Sequence, residues 1–322
     1  MYTINSFFSG VGGIDLGFEM TKNFKVIWAN EIDVNASKTY ALNFSNTLIT
    51  EDIKKIESND VPNADIFIAG FPCQAFSVAG YKKGFEDERG ILFFDLLRII
   101  KEHKPRVVFL ENVKNLVGHD NGNTFRVIKE SLEFYGYKVR DKVLNAKDYG
   151  NIPQNRERIY IVAFIDPIDY MNFDYPDSIP LEKTIKDMID YSVDDQQYIY
   201  TQEKYESYEE IKKSVLKKNT VYQWRRKYVR ENKSNVFPTL TANMGTGGHN
   251  VPLILTDKCI RKLTPRECFN VQGYPLNFKL PNISNSHLYK QAGNSVVVPV
   301  IERIAQNISK ALKQTDNLKV FK

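Results

Sequence analysis

The chain has 322 residues, with 44 Lys and Arg against 39 Asp and Glu, a net charge of +5 and 42% hydrophobic residues. This composition excludes wholesale disorder and a fibrous repeat, and its three cysteines, Cys73, Cys259 and Cys268, form neither an even framework nor a C-x-x-C pair. No apolar run approaches the roughly 18 residues of a membrane helix, and Met1 to Phe8 lacks a secretory pattern, so a cytoplasmic protein with reduced thiols is expected.

Along the first half, Thr3–Phe8, Lys25–Ala29, Asp65–Gly70 and Arg106–Leu110 read as short apolar strands, with the helical pattern Ile91–His103 before the last. That alternation predicts an α/β fold with a doubly wound, mostly parallel sheet, whose ligands gather at the carboxyl ends of the strands. Leaving the first strand, Phe8-Ser9-Gly10-Val11-Gly12-Gly13 forms a glycine-rich turn into a helix, which lets a ligand approach the backbone. Glu31 follows the second strand, where an acid accepts hydrogen bonds from ribose hydroxyls. Turn and acid together read as a nucleoside site; alone, the turn reads equally as a tight loop. A dinucleotide fingerprint wants a third glycine at position 15, which is Asp15, so nicotinamide chemistry loses ground. Asp52-Ile53, after a third short strand, offers a carboxylate and an apolar wall to a purine ring, or is simply a solvated turn.

Gly70-Phe71-Pro72-Cys73-Gln74 ends the fourth strand, and the proline stiffens the approach to the thiol. A lone cysteine is more often a buried structural residue; placement at a strand end favours function. Glu111-Asn112-Val113 ends the fifth strand, so four candidate groups converge on one rim, as an active site requires. Ala75–Gly90, with Gly80, Gly84 and Gly90, is a lid candidate.

Two further strands are expected at Lys138–Leu144 and Arg158–Ile165, followed by an Asp-rich linker or lobe edge over Asp166–Asp195. Lys212–Lys233 holds nine Lys or Arg against the single acid Glu231, interleaved with Tyr222, Trp224 and Tyr228. It reads as a phosphate-tracking surface or as a solvated helix face. Thr239–Asn250 is a glycine- and threonine-rich loop, and Val296–Leu312 has helical spacing suited to packing on the first lobe. The expected division is 1–175, 176–280 and 281–322.

In order and spacing these segments resemble the motif series of the cytosine-5 DNA methyltransferases. Gln154-Asn155-Arg156-Glu157-Arg158, Arg261-Lys262-Leu263-Thr264-Pro265-Arg266-Glu267 and Gln291-Ala292-Gly293-Asn294-Ser295-Val296 extend the match over most of the chain outside about 170–260. One departure is Glu51, where the family usually has Gly before Asp52-Ile53. The resemblance implies a Rossmann-like catalytic domain with a smaller target-recognition domain. S-adenosyl-L-methionine would be the methyl donor, with S-adenosyl-L-homocysteine as product and no metal. The implied donor contacts are Phe8, Ser9, Gly10, Val11, Gly12 and Gly13, then Glu31, Ile32, Asp52, Ile53, Gly70, Pro72, Leu92, Asn294 and Val296.

Carbon 5 of cytosine is too weak a nucleophile to be methylated unaided, so the resemblance implies covalent attack by Cys73 on carbon 6. Glu111 would serve ring nitrogen 3, for which burial or the bound base must raise its pKa above the ordinary value of about 4.3. Arg158 would hold the base carbonyl, with Arg156 supporting the pocket. Reaching a stacked base implies flipping it out of duplex DNA. Arg225, Arg226, Lys227 and Arg230 would meet phosphates, and Thr239, Thr241 and Asn243 base edges. Expected partners are double-stranded DNA and a cognate restriction endonuclease acting on the same site, for a monomer in a bacterial or phage-bearing cytoplasm. The tRNA-methylating branch of the family, a non-catalytic nucleic-acid-binding relative and a nicotinamide oxidoreductase stand as rival readings.

Overall fold

A computed structural model describes residues 1–72, 92–225, 227–246 and 250–320. Cys73, the lid candidate Ala75–Gly90, Ile91, Arg226 and residues 247–249 of the Thr239–Asn250 stretch lie outside the described residues. The chain divides into two compact units, one formed by 1–144, 157–177 and 301–322, the other by 145–156 and 178–300.

The first unit is built on seven strands: β1 (Tyr2–Phe7), β2 (Phe24–Asn30), β3 (Thr47–Ile49), β4 (Ile66–Ala69), β5 (Val107–Val113), β6 (Lys138–Asn145) and β7 (Glu157–Phe164). Their order is β3-β2-β1-β4-β5-β7-β6. The first five run parallel, and β7 is antiparallel to β5. The expected mostly parallel, doubly wound sheet is present, with strand ends within a few residues of those read from apolar runs. Position in the sheet explains composition: β4, Ile-Phe-Ile-Ala, is wholly buried in the centre, as a strand covered on both faces must be. Edge strand β6 is mostly half-exposed and carries Lys138, Arg140, Asp141 and Lys142.

Helices α1 (Gly13–Met20), α2 (Val34–Ala41), α3 (Leu92–His103) and α4 (Asn123–Phe134) connect these strands. In α3, Phe93, Leu96, Leu97, Ile99 and Ile100 recur at helical spacing and enter the main core. Each such burial contributes about 1.5–3 kcal/mol. Sheet order reverses around β1 and β4, where open α/β sheets hold their ligands.

The helix expected over Val296–Leu312 runs Val298–Val320. Its extra turns are polar and invisible to apolar spacing. Arg106, at the entry to β5, bonds Asp169 at 2.7 and 2.9 Å and pairs with Asp316 at 2.7 Å, while Lys319 reaches Asp166 at 2.7 Å. Among the described residues, no helix is long and apolar enough to cross a membrane.

In the second unit, β8 (Tyr222–Trp224), β9 (Val229–Glu231), β10 (Leu253–Leu255) and β11 (Ile260–Lys262) form an antiparallel sheet in the order β11-β10-β8-β9. Lys212 and Lys213 lie on the helix Tyr208–Ser214, while Arg225, Lys227 and Arg230 belong to the β8–β9 hairpin, so the basic segment is not one helix face. The strand period of two turns Tyr222, Trp224 and Val229 onto a small core with Tyr200, Ile211 and Leu253. Arg225, Lys227 and Arg230 are left exposed.

Candidate active site

Where β1 gives way to α1, Phe8 (φ 52), Gly10 (φ 57) and Gly12 (φ 83) alternate through left-handed backbone, curling the chain into an open loop. A non-glycine residue there costs of order 1–3 kcal/mol. Ser9 is held to the Asn30 carbonyl by its N–H at 3.0 Å and its hydroxyl at 3.1 Å. Glu31, at the end of β2, closes the loop from below: Gly10 N–H donates to Oε2 at 2.7 Å and Asp33 N–H to Oε1 at 2.7 Å. Burial pushes the Glu31 carboxyl up, opposed by these backbone donors. A Cβ placed on Gly10 would meet nothing within 4 Å, so the backbone there faces open space beside a buried acid.

The remaining donor-site candidates of this unit follow neighbouring strands or open the helices α1 and α3. Ile32 is exposed, Val11, Gly12 and Gly13 are buried, and Leu92 opens α3 half-buried against the main core. Ile53 is buried, while half-exposed Asp52 accepts the Lys54 N–H at 3.1 Å. Glu51, standing where the family has glycine, uses its carboxylate locally, on Asp52 N–H at 2.8 Å and Lys55 at 3.1 Å.

Glu111, Asn112 and Val113 end β5 as expected, and Glu111 stands opposite Tyr160 of β7. Its Oε1 is 3.2 Å from Arg158 Nε, with both side chains nearly buried. Gly70, ending β4, stands beside this pair: a Cβ there would lie 3.6 Å from Glu111 Oε2. The next residue of β5, Asn112, is buried and donates its amide to the Phe71 carbonyl at 2.8 Å. Thus Gly70, Phe71, Glu111, Asn112 and Arg158 meet where the chain, through exposed Pro72, approaches position 73. Of the described cysteines, burial pushes the Cys268 thiol well up, and Cys259 sits in a turn closed by Thr256. Asn112 received no role from sequence reading, although its place between two strand residues was a usable signal. Asp15, read only as a missing glycine, is fully buried.

Arg156, Asn294 and Val296 belong to the second unit. The Arg156 guanidinium is buried and bonds the Leu240 carbonyl at 2.6 Å, the Gly293 carbonyl at 3.1 Å and the Ser295 carbonyl. Gln154 works alongside, donating to Val271 and Gln272 and accepting from Leu240 N–H at 3.1 Å. The Gln154–Arg158 and Gln291–Val296 motifs therefore share one network that fixes the start of the Thr239–Asn250 stretch. Thr239 bonds the Asn155 carbonyl at 2.6 Å, whereas Thr241, Asn243 and Asn294 are exposed. Val296 is buried. In the third motif, fully buried Arg261 forms a two-pronged pair with Glu267 at 2.7 and 2.8 Å.

Residues 2–310 match the family described as C-5 cytosine-specific DNA methylase. The chain is 63% identical over 315 residues to Type II methyltransferase M.Bsp6I of Bacillus sp. (strain RFL6), covering 97% of this chain and 100% of that one. It is 40% identical over 319 residues to Type II methyltransferase M.HhaI of Haemophilus parahaemolyticus, covering 95% and 93%. Among solved structures, the S. pombe Dnmt2 methyltransferase is similar with a TM-score of 0.74 at 19% identity, over 98% of this chain and 100% of that one, a likeness of fold.

Proposed function

Since the chain belongs to the C-5 cytosine-specific DNA methylases and is a DNA cytosine-5 methyltransferase, we propose that the rim of its first unit binds S-adenosylmethionine and activates the target cytosine. The loop Phe8–Gly13 and Glu31 fit the donor: open backbone at Gly10 admits a ligand, and a carboxylate with lone pairs left over accepts ribose hydroxyls. Ile32, Asp52, Ile53, Gly70 and Pro72, following neighbouring strands, and Leu92 at the start of α3 would complete that site within the unit. When bound, S-adenosylmethionine supplies an electrophilic sulfonium methyl group.

Cys73 then does the chemistry that carbon 5 cannot do alone. Its thiolate adds to carbon 6 of the cytosine, and the displaced electron pair enriches carbon 5. Glu111 bonds the base at ring nitrogen 3 and Arg158 bonds the carbonyl oxygen, so charge developing on the ring is met at both positions. Carbon 5 would then take the sulfonium methyl, the electrons of the broken sulfur–methyl bond remaining on S-adenosyl-L-homocysteine, and loss of the carbon 5 proton to a base with cleavage of the sulfur–carbon 6 bond would restore the ring and free Cys73. What most supports this reading is the Glu111–Arg158 pair at 3.2 Å beside Gly70, three residues ahead of the thiol. Arg156 acts indirectly, by holding backbone within its own unit.

The substrate would be a cytosine flipped from a short specific duplex sequence, contacted by Arg225, Lys227 and Arg230 at phosphates and by Thr241 and Asn243 at bases. The protein would act as a cytoplasmic monomer, forming the modification half of a restriction-modification system whose endonuclease cuts the same site. Cys73→Ser tests the mechanism: transfer of labelled methyl to duplex DNA should vanish while calorimetric donor binding persists. Wild-type turnover by that variant would refute covalent catalysis, and labelling of tRNA but not duplex DNA would sink the DNA reading.

A further inference from the structure

We propose that Asp15 is a positioning residue for the methyl-donor site: bridging Ser6 to Tyr40 as an uncharged acid, it seats Phe44 against Gly12 and so fixes the 8–13 loop. This rests on the reading of that loop as the donor site. Asp15 lies in the first turn of α1 with no exposed surface. The Ser6 hydroxyl donates to its Oδ2 at 3.0 Å, and the Tyr40 hydroxyl stands 2.7 Å from its Oδ1. The same hydroxyl stands 3.2 Å from Asn46 Oδ1, and the Asn46 amide nitrogen donates to the Thr47 carbonyl, which fixes the amide's orientation.

A phenol has one proton to give, yet two oxygens face it here. Both contacts become hydrogen bonds when Asp15 carries the extra hydrogen, donates it to Tyr40, and leaves Tyr40 to donate to Asn46. Surroundings agree with that protonation. Among the described residues no cation pairs with Asp15; the titratable groups bearing on it are Tyr40 of α2 and Glu19 of α1, itself an acid. Burial, opposed by the Tyr40 and Ser6 hydrogen bonds, pushes the Asp15 carboxyl up to about 7.

From Tyr40 the effect reaches the loop by packing. Its ring stacks on Phe44 with centroids 4.4 Å apart and planes at 28°. Phe44 lies so close to Gly12 that a Cβ there would stand 2.2 Å from its Cε2. Because only the uncharged carboxyl satisfies the network, donor affinity is full on the acid side and falls as pH rises through about 7.

Titrating S-adenosylhomocysteine by calorimetry into wild-type, Asp15→Asn and Glu31→Ala protein, at about pH 6 and about pH 8.5, tests this. Asn keeps a neutral donor and acceptor, so wild-type affinity should fall by about three- to tenfold relative to Asp15→Asn between the two conditions. Asp15→Ala should raise KM for the methyl donor more than it lowers kcat; should it not fold, the Asn comparison decides. A wild-type-to-Asn affinity ratio that stays constant with pH overturns the role of Asp15. If Glu31→Ala binds like wild type, the donor-site reading falls and takes the proposal with it. Weakened binding by Glu31→Ala with a constant ratio removes the Asp15 role alone.

Discussion

Asn112 gives its amide to the carbonyl of Phe71, two residues ahead of Cys73, and that 2.8 Å bond is buried where water cannot replace it. Removing it frees the backbone that leads to the nucleophile proposed at position 73, and a displacement of about 1 Å at a reacting centre can cost a hundredfold in rate. Asn112→Ala should therefore lower kcat by about ten- to a hundredfold while sparing donor affinity, as single-turnover kinetics would reveal; an unchanged kcat would exclude this role. The placement of Glu31 and Glu111 at strand ends was legible in the sequence because apolar periodicity locates those ends, and acids there are conspicuous. Asn112, Asp15 and the partners of Arg156 were not, because their hydrogen bonds join residues 41, 25 and up to 139 positions apart.

Elements were read well where burial enforces a period and poorly where charge does. The sheet strands emerged from apolar runs, but the Val298–Val320 helix outruns its apolar spacing because Asp316 and Lys319 find partners on other elements. A similar dependence holds the helix Pro265–Val271 in place. Thr264 and Glu267 form a capping box at its start, and Glu267 also neutralises fully buried Arg261. Truncating one member leaves the other charge buried and unpaired, so Glu267→Ala should destabilise the second unit by about 3–5 kcal/mol, seen as a lowered melting transition. A loss below about 1 kcal/mol would mean that the pair is structurally idle. Close approach matters as well: a Cβ on Gly293 would lie 2.1 Å from the Thr241 carbonyl carbon. Gly293→Ala should accordingly cost about 1–3 kcal/mol and disturb the loop before Asn243, read out as weaker specific DNA binding.

For the molecule as a whole, a charge of +5 says little until it is placed. The β8–β9 hairpin concentrates exposed Arg225, Lys227 and Arg230 on the outside of a strand pair from which Tyr222 and Trp224 face inward. If all three meet phosphates, replacing them with Ala should flatten the slope of log affinity against log salt by about three. An unchanged slope would move the DNA contact elsewhere. Sequence alone determined the parallel sheet and the family, since these follow from local periodicity and from motif order. Only the tertiary structure decided that the basic segment splits between a helix and a hairpin, that Arg156 bonds backbone carbonyls and that Asp15 is buried against Ser6 and Tyr40. Those facts depend on pairings between distant segments, which local residue patterns do not encode.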